Sequence, residues 1–532
     1  MGAKTEHVSV PFAAIVEAMS RPQFYPHRPA AVTVEQTHIS YVFLAGDQVY
    51  KIKKPVRFSF LDFSTLDRRR RLCHEEVRLN RRLAADIYLG VVAVCDDNGR
   101  LRLGSEEEPA AVEYAVHMRR LPHQRLLDHL LDHGDVSPAM IEELATRLVE
   151  FHGQATCDPE ITANGSAEGI WRILEDNYAN GRRFRGNTIE SGDDDAIQRF
   201  ARSFLDDHAE MFRRRQEEGR IRECHGDLHS EHVCFTDALV IFDCIEFNTQ
   251  FRYIDVASDI AFLAMDLDYH GRSDLAELFV ERYARGSRDH DALRLLPFYK
   301  CYRAYVRGKV DSLKSVEPDV PEAERAAAGA SARRHFELAY RYTWAYTPAL
   351  VVVCGLSGTG KSALATALAA RTGFVHLNSD VVRKQLAGLP PTFRARTAYD
   401  TGLYTPELSE RTYRTMLETA EDHLRVGRGV ILDATFQLRR GRDEARAIAA
   451  RRSLPILFVE CECDPAEVER RIHQRQASAD SPSDADWTVY LQQRQRYQPF
   501  APEETAERLI ADTTDPNRRF TAQIEARLRR PR

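Results

Sequence analysis

The segment Gly355-Leu356-Ser357-Gly358-Thr359-Gly360-Lys361-Ser362 lies between an apolar run, Val351 to Cys354, and helix-compatible sequence from Ser362 to Thr372 that Gly373 closes. Glycines at these offsets let backbone N–H groups wrap phosphate oxygens, and a helix starting at the same point adds its partial positive charge. Gly355, Ser357, Gly358, Thr359 and Gly360 are the expected phosphate cradle of an ATP site. Lys361 is expected to reach the β- and γ-phosphates, and Ser362 to ligate Mg2+.

Further groups follow at strand ends. Asn378-Ser379-Asp380 closes the next apolar run, with Arg383 one helical turn on. At the C-terminal edge of a parallel sheet Asp380 would face the phosphate crevice. It could take the proton of an attacking hydroxyl while Arg383 holds an anionic substrate; the plainer reading makes Asp380 the cap of its helix. Asp433, ending Val430-Ile431-Leu432, resembles a Walker B carboxylate and could organise Mg2+ or its waters; the plainer reading is a strand-end turn residue. Arg471 and Arg475, four apart on a helix opened by Asp464-Pro465, project together and could cover the ATP phosphates; a solvated basic face is the alternative. Together these motifs resemble the P-loop small kinases, a group that includes polynucleotide 5′-hydroxyl kinases, zeta-toxin-like nucleotide-sugar kinases and chloramphenicol phosphotransferase. The resemblance is specific for the phosphate site and weak for the acceptor.

A second constellation lies upstream. Cys224-His225-Gly226-Asp227-Leu228 precedes two short β runs separated by Thr236-Asp237, the second ending in Asp243. A loop Asp followed by a hairpin that delivers another Asp is how protein kinases set a base and a metal ligand around one γ-phosphate. Val49-Tyr50-Lys51-Ile52-Lys53 offers a strand lysine for the α- and β-phosphates, with Glu75 or Glu76 on the following helix as its partner. Lys51 and Lys53 share a face, so periodicity does not separate them; Lys51 is preferred here, paired with Glu76.

With Val112 to Met118 and Phe242 to Asn248 added, this part looks like the aminoglycoside phosphotransferase family. More closely, the chain is similar to two-domain bacterial proteins that join such a domain to a P-loop kinase. The resemblance implies Asp227 as catalytic base, Asp243 as Mg2+ ligand and Met118 beside an adenine-binding hinge. It covers nearly the whole chain. One position departs from it: five residues after Asp227 the family has Asn, and this chain has His232. Imidazole suits softer metals than Mg2+, so the second metal position is where the pattern breaks. His225 is read as stabilising its loop, without proton-transfer chemistry.

The elements that must hold these groups are legible in outline. Ile39 to Leu44, Gln48 to Lys53 and Val112 to Met118 read as a small antiparallel sheet. From Ser137-Pro138 the pattern turns helical, with Ile141, Leu144, Leu148 and Phe151 on one face. The polar, Gly-rich stretch from Ala179 to Ala196 reads as a mobile loop, and Asp193 to Asp195 in it could supply an acidic cleft, though a charge run in a loop is usually just solvated. Arg303, Arg307 and Lys309 share a helix that reads most simply as a solvated face, with an anionic-acceptor pocket as the alternative. Helical sequence from Val320 to Tyr346 ends before Pro348, and five apolar runs follow, each paired with helix-compatible sequence, which implies a parallel α/β sheet. The expected fold is an α+β bilobal protein-kinase-like domain over 1–345, its β lobe about 30–120 and its helical lobe 121–345. An α/β P-loop NTPase domain with a five-stranded parallel sheet is expected over 346–532.

At 532 residues two domains are the simplest count. No apolar stretch is long enough to cross a bilayer and no signal-peptide core is present, so no membrane partner and a cytoplasmic location are expected. Ten cysteines without a C-x-x-C pair read as structural thiols. A net charge of −6 gives no general pull toward nucleic acid. The expected enzyme uses ATP and Mg2+ at two sites to phosphorylate a hydroxyl on a small molecule, a nucleotide sugar or a nucleic-acid end. Two alternatives are a polynucleotide 5′-hydroxyl kinase whose first domain is an accessory clamp, and an ATP-sensing regulator with a degenerate first lobe.

Overall fold

The structure is a computed structural model that describes residues 10–58, 60–390, 393, 402–477, 486–514 and 520–529. The chain divides into two compact units, Met1–Phe336 and Glu337–Arg532.

The first unit opens on an antiparallel sheet of six strands, β1 (Val32–Gln36), β2 (Ser40–Ala45), β3 (Gln48–Lys53), β4 (Tyr88–Asp97), β5 (Arg100–Gly104) and β6 (Ala111–Arg119), in the order β1-β2-β3-β6-β4-β5. Only β2, β3 and β6 are foreseen by alternation; β1 is largely exposed and shows little apolar signal. On β3 the period of two sends Tyr50 and Ile52 into a core with Ile15, Met19 and Phe43, and Val49 to the opposite face, where it packs with Cys73 and Val77. Those two residues belong to helix α1 (Leu66–Asn80), whose first turn is capped by Thr65 accepting from the Arg68 N–H. Lys51 and Lys53 therefore point toward α1 and Glu76.

The helical lobe follows. Helix α2 (Pro138–Gln154) starts where Ser137 accepts from the Met140 N–H, and it buries Ile141, Leu144, Leu148 and Phe151. Helix α3 (Val256–Tyr269) is buried without a break from Val256 to Leu267, so no amphipathic stripe marks it. Helix α4 (Asp291–Ser315) carries Arg303, Arg307 and Lys309. The expected loop from Ala179 to Ala196 is instead ordered structure. A helix runs to Gly181, a 3-10 turn spans Arg182–Phe184, and another helix begins at Ser191. Arg185 pairs with Asp194 and Asp195, and the buried Asp194 also accepts from Tyr305 Oη at 3.0 Å. Pairing with Arg185 lets Asp194 pack inside while Asp195 stays half-exposed, so the run is a paired structural feature and not an open acidic cleft.

The second unit is a five-stranded sheet, β7 (Leu350–Cys354), β8 (Val375–Asn378), β9 (Val430–Asp433), β10 (Ile456–Glu462) and β11 (Arg508–Asp512), all parallel in the order β8-β9-β7-β10-β11. The register sets Asn378 opposite Asp433 and Val353 opposite Asp433. The chemically equipped strand ends thus stand at one level, beside the start of the Gly-rich loop. All ten cysteines are free. Among the described residues no helix is long and apolar enough to cross a membrane.

Candidate functional site

In the second unit, helix α5 (Lys361–Thr372) starts directly from the Gly-rich loop, with Gly360 left-handed at φ 85°. Gly355 is at φ 127°, and a Cβ there would lie 2.5 Å from the Cys461 carbonyl oxygen. Only glycine fits this close approach to β10. Lys361 Nζ donates to the Leu356 carbonyl at 2.8 Å, folded over the loop. A cavity of about 900 Å³ is lined by Ser357, Gly358, Lys361, Asp380, Asp433 and Arg471, among others. Phosphate cradle, candidate base and carboxylate therefore share one space.

Helix α6 (Ser379–Leu386) is capped by Asn378, whose Oδ1 accepts from the Asp380 and Val381 N–H groups at 3.0 and 3.2 Å. The cap is Asn378, so the Asp380 side chain is not used for that purpose. Its Oδ1 accepts from Arg383 Nη1 at 2.6 Å and from Tyr404 Oη at 3.4 Å, and the Arg383 guanidinium stacks 4.6 Å from the Tyr404 ring centroid. Asp433 is buried and accepts from Asn378 Nδ2 at 2.6 Å and His376 Nε2 at 3.2 Å. Burial would raise its carboxyl; the His376 hydrogen bond, the Lys361 charge and Ser362 more than reverse this and hold it below the usual range. Ser362 and Asp433 form a hard oxygen set of the kind Mg2+ takes. Arg471 lines the cavity but is tied to Glu467 at 2.6 Å and to the Thr513 carbonyl at 2.7 Å. The Arg475 side chain lies outside the described residues.

In the first unit, Asp227 stands on a loop fixed from below. Asp259 of α3 accepts from the His225 and Gly226 N–H groups at 3.0 and 2.9 Å, and from His152 Nε2 at 3.1 Å. Gly226 is at φ 89°, with the Phe251 carbonyl oxygen 2.7 Å from where a Cβ would sit. His225 Nε2 donates to the Phe242 carbonyl at 2.8 Å while its Nδ1 accepts from the Asp227 N–H at 3.2 Å. Burial pushes its pKa down to about 4, which keeps the ring neutral in this bracing role.

Around the Asp227 carboxylate stand His229 Nε2 at 3.5 Å and His232 Nδ1 at 3.6 Å. Burial would raise the Asp227 carboxyl, but His229, His232 and Arg307 hold it well below the usual range. Asp243 is left-handed at φ 63°, a conformation that non-glycine residues adopt rarely. Its Oδ1 accepts from Lys51 Nζ at 2.6 Å, and its Oδ2 lies 3.5 Å from His232 Nε2. Lys51 also reaches Glu76 at 3.0 Å, whereas Lys53 is wholly buried between Glu76, at 2.6 Å, and Glu246. Glu76 thus serves both lysines, but only Lys51 meets the second Asp. Met118 is buried at the end of β6, just before the helical lobe.

Arg303 is buried and donates to the Gly226 carbonyl at 3.0 Å, and Lys309 is bonded to Asn177. The solvated-face reading of α4 fails, because the face packs against the Asp227 loop. His229 and Asp259 stand among the residues that carry the resemblance but had no role assigned from the sequence; His376 was missed, as was Gln493, whose Oε1 accepts from the Ser357 N–H at 2.9 Å.

Residues 44–296 match the family model described as "Phosphotransferase enzyme family", and residues 350–500 match that described as "AAA domain". Uncharacterized proteins of Mycobacterium tuberculosis and Mycobacterium bovis are 32% identical to this chain over 493 residues, covering 92% of it and 94% of their own length. The chain belongs to the same family as these proteins. It is a phosphotransferase with a kinase-like domain followed by a P-loop kinase domain. Fainter similarity extends to a choline/ethanolamine kinase family protein of Mesorhizobium loti, at 15% identity and TM-score 0.36 over 61% of this chain and 98% of that one. The APS kinase CysC of Mycobacterium tuberculosis is similar at 21% identity and TM-score 0.25, over 34% and 95% respectively.

Proposed function

We propose that this phosphotransferase has two ATP sites, each of which moves the γ-phosphate to a hydroxyl of its own acceptor. The observation that carries the reading is the shared cavity of the second unit, in which the Asp380–Arg383 pair and the Gly-rich loop line the same space.

In the second unit Asp380 would accept the proton of the acceptor hydroxyl as the new P–O bond forms, and Arg383 would hold that carboxylate in line. Backbone N–H groups from Gly358 to Ser362 and the Lys361 ammonium would bind the phosphates. Ser362 and Asp433 would hold Mg2+, which neutralises phosphate charge when bound. In the first unit Asp227 would take the hydroxyl proton. The loop-bracing bonds from Asp259 and Arg303 fix its position, and Lys51, held between Glu76 and Asp243, would bind phosphate. Here the oxygen-seeking Mg2+ fits Asp243 but not the imidazole of His232, and no step is assigned to it.

An assay with labelled ATP across hydroxyl acceptors, including sugars, nucleotide sugars and nucleic-acid 5′ ends, tests this. ADP release that depends on an acceptor is expected. Slow basal hydrolysis that no acceptor accelerates would overturn the reading in favour of a regulatory ATPase.

A further inference from the structure

Asp243, His232 and Lys51 converge in a way that fixes which atoms are left for a cation. Lys51 Nζ takes Asp243 Oδ1 at 2.6 Å, so Oδ2 is the oxygen facing His232. On the other side, His232 Nδ1 lies 2.8 Å from the Asp227 carbonyl oxygen. A carbonyl only accepts, so Nδ1 carries the proton, and in the neutral ring Nε2 carries the lone pair. That lone pair lies 3.5 Å from Asp243 Oδ2. Two donors bound to one ion at about 2.1 Å stand about 3.0–3.4 Å apart. The ring is held in the tautomer a metal ligand needs, by a hydrogen bond from its other nitrogen, which is how metal-bound histidines are oriented. His229 is engaged elsewhere: its Nε2 faces Asp227 Oδ2 at 3.5 Å, and its ring lies 4.1 Å from that of His232.

We infer that the nucleotide site of the first unit takes a divalent first-row transition cation in preference to Mg2+, through His232 Nε2 and Asp243 Oδ2. Mg2+ binds imidazole poorly, whereas mixed nitrogen and oxygen sets suit the transition ions. The inference rests on the reading of this loop as an ATP site. It gives His232 a purpose: the residue that breaks the family pattern changes which metal is used and leaves the site competent.

Pulsed EPR on the full-length protein with Mn2+ and the non-hydrolysable analogue AMP-PNP tests it without turnover. Wild type is expected to show the hyperfine coupling of a directly bound imidazole nitrogen. The coupling should be lost in His232→Asn and kept in Lys361→Ala, and in wild type the nitrogen-coupled Mn2+ should resist displacement by excess Mg2+. No nitrogen coupling in wild type, or equal coupling in His232→Asn, would overturn the inference. A nitrogen-bound Mn2+ in a protein that phosphorylates no acceptor would leave the metal site standing and remove the kinase reading alone.

Discussion

Arg383 Nη1 donates to Asp380 Oδ1 at 2.6 Å, one helical turn apart on a helix whose cap is a third residue, Asn378. Because capping does not occupy Asp380, its carboxylate can serve as the proposed base. Asp380→Asn should leave ATP affinity unchanged and lower acceptor phosphorylation at the second site by about 10²–10⁴-fold, the usual worth of a positioned base. Titration with a fluorescent ATP analogue alongside acceptor-dependent ADP release checks both halves. Undiminished turnover would reduce Asp380 to a structural partner of Arg383.

The two strand lysines should separate by phenotype. Lys51 touches Asp243 and Glu76, while Lys53 is buried between Glu76 and Glu246. Lys51→Met is expected to fold and to weaken nucleotide binding at the first site by about tenfold or more, the value of a charge-assisted hydrogen bond. Lys53→Met leaves Glu246 buried without its cation and should destabilise the first unit by about 3–5 kcal/mol. Denaturant melts and nucleotide titrations of both variants distinguish the roles; exchanged phenotypes would make Lys53 the phosphate ligand.

Burial pushes the pKa of Lys309 down to about 8. Between that value and the ordinary lysine value the unfolded chain holds a proton that the folded chain lacks, so stability rises with pH across this window. Wild type should therefore gain stability relative to Lys309→Met as pH is raised from about 8 to 10. Denaturation midpoints of both proteins over that range measure it, and a pH-independent gap would show that Lys309 stays charged in the fold.

Much of the geometry of the candidate sites was legible because it depends on short-range spacing. The Gly-rich loop, Asp380 with Arg383, Asp433, Asp227 and Asp243 all sit at strand ends or on the loops next to them, where local patterning sets position. What stayed hidden depends on partners far along the chain. Asp194 looked like loop because Tyr305, which hydrogen-bonds it from 111 residues away, cannot be inferred from its neighbours. Arg303 looked solvated because its acceptor is the Gly226 carbonyl, 77 residues away. Asp259 stood out only as part of a helix start; its hold on the Asp227 loop runs through the His225 N–H, 34 residues away. Strand β1, mostly exposed, had too little apolar alternation to be seen.

The claim that most needs testing is that the chain carries two separate phosphotransfer sites. Acceptor-dependent ADP release measured in parallel for wild type, Asp227→Ala and Lys361→Ala addresses it directly. The structure predicts that each variant loses one acceptor activity and keeps the other. Loss of both activities in either single variant, with both units still folded, would contradict it.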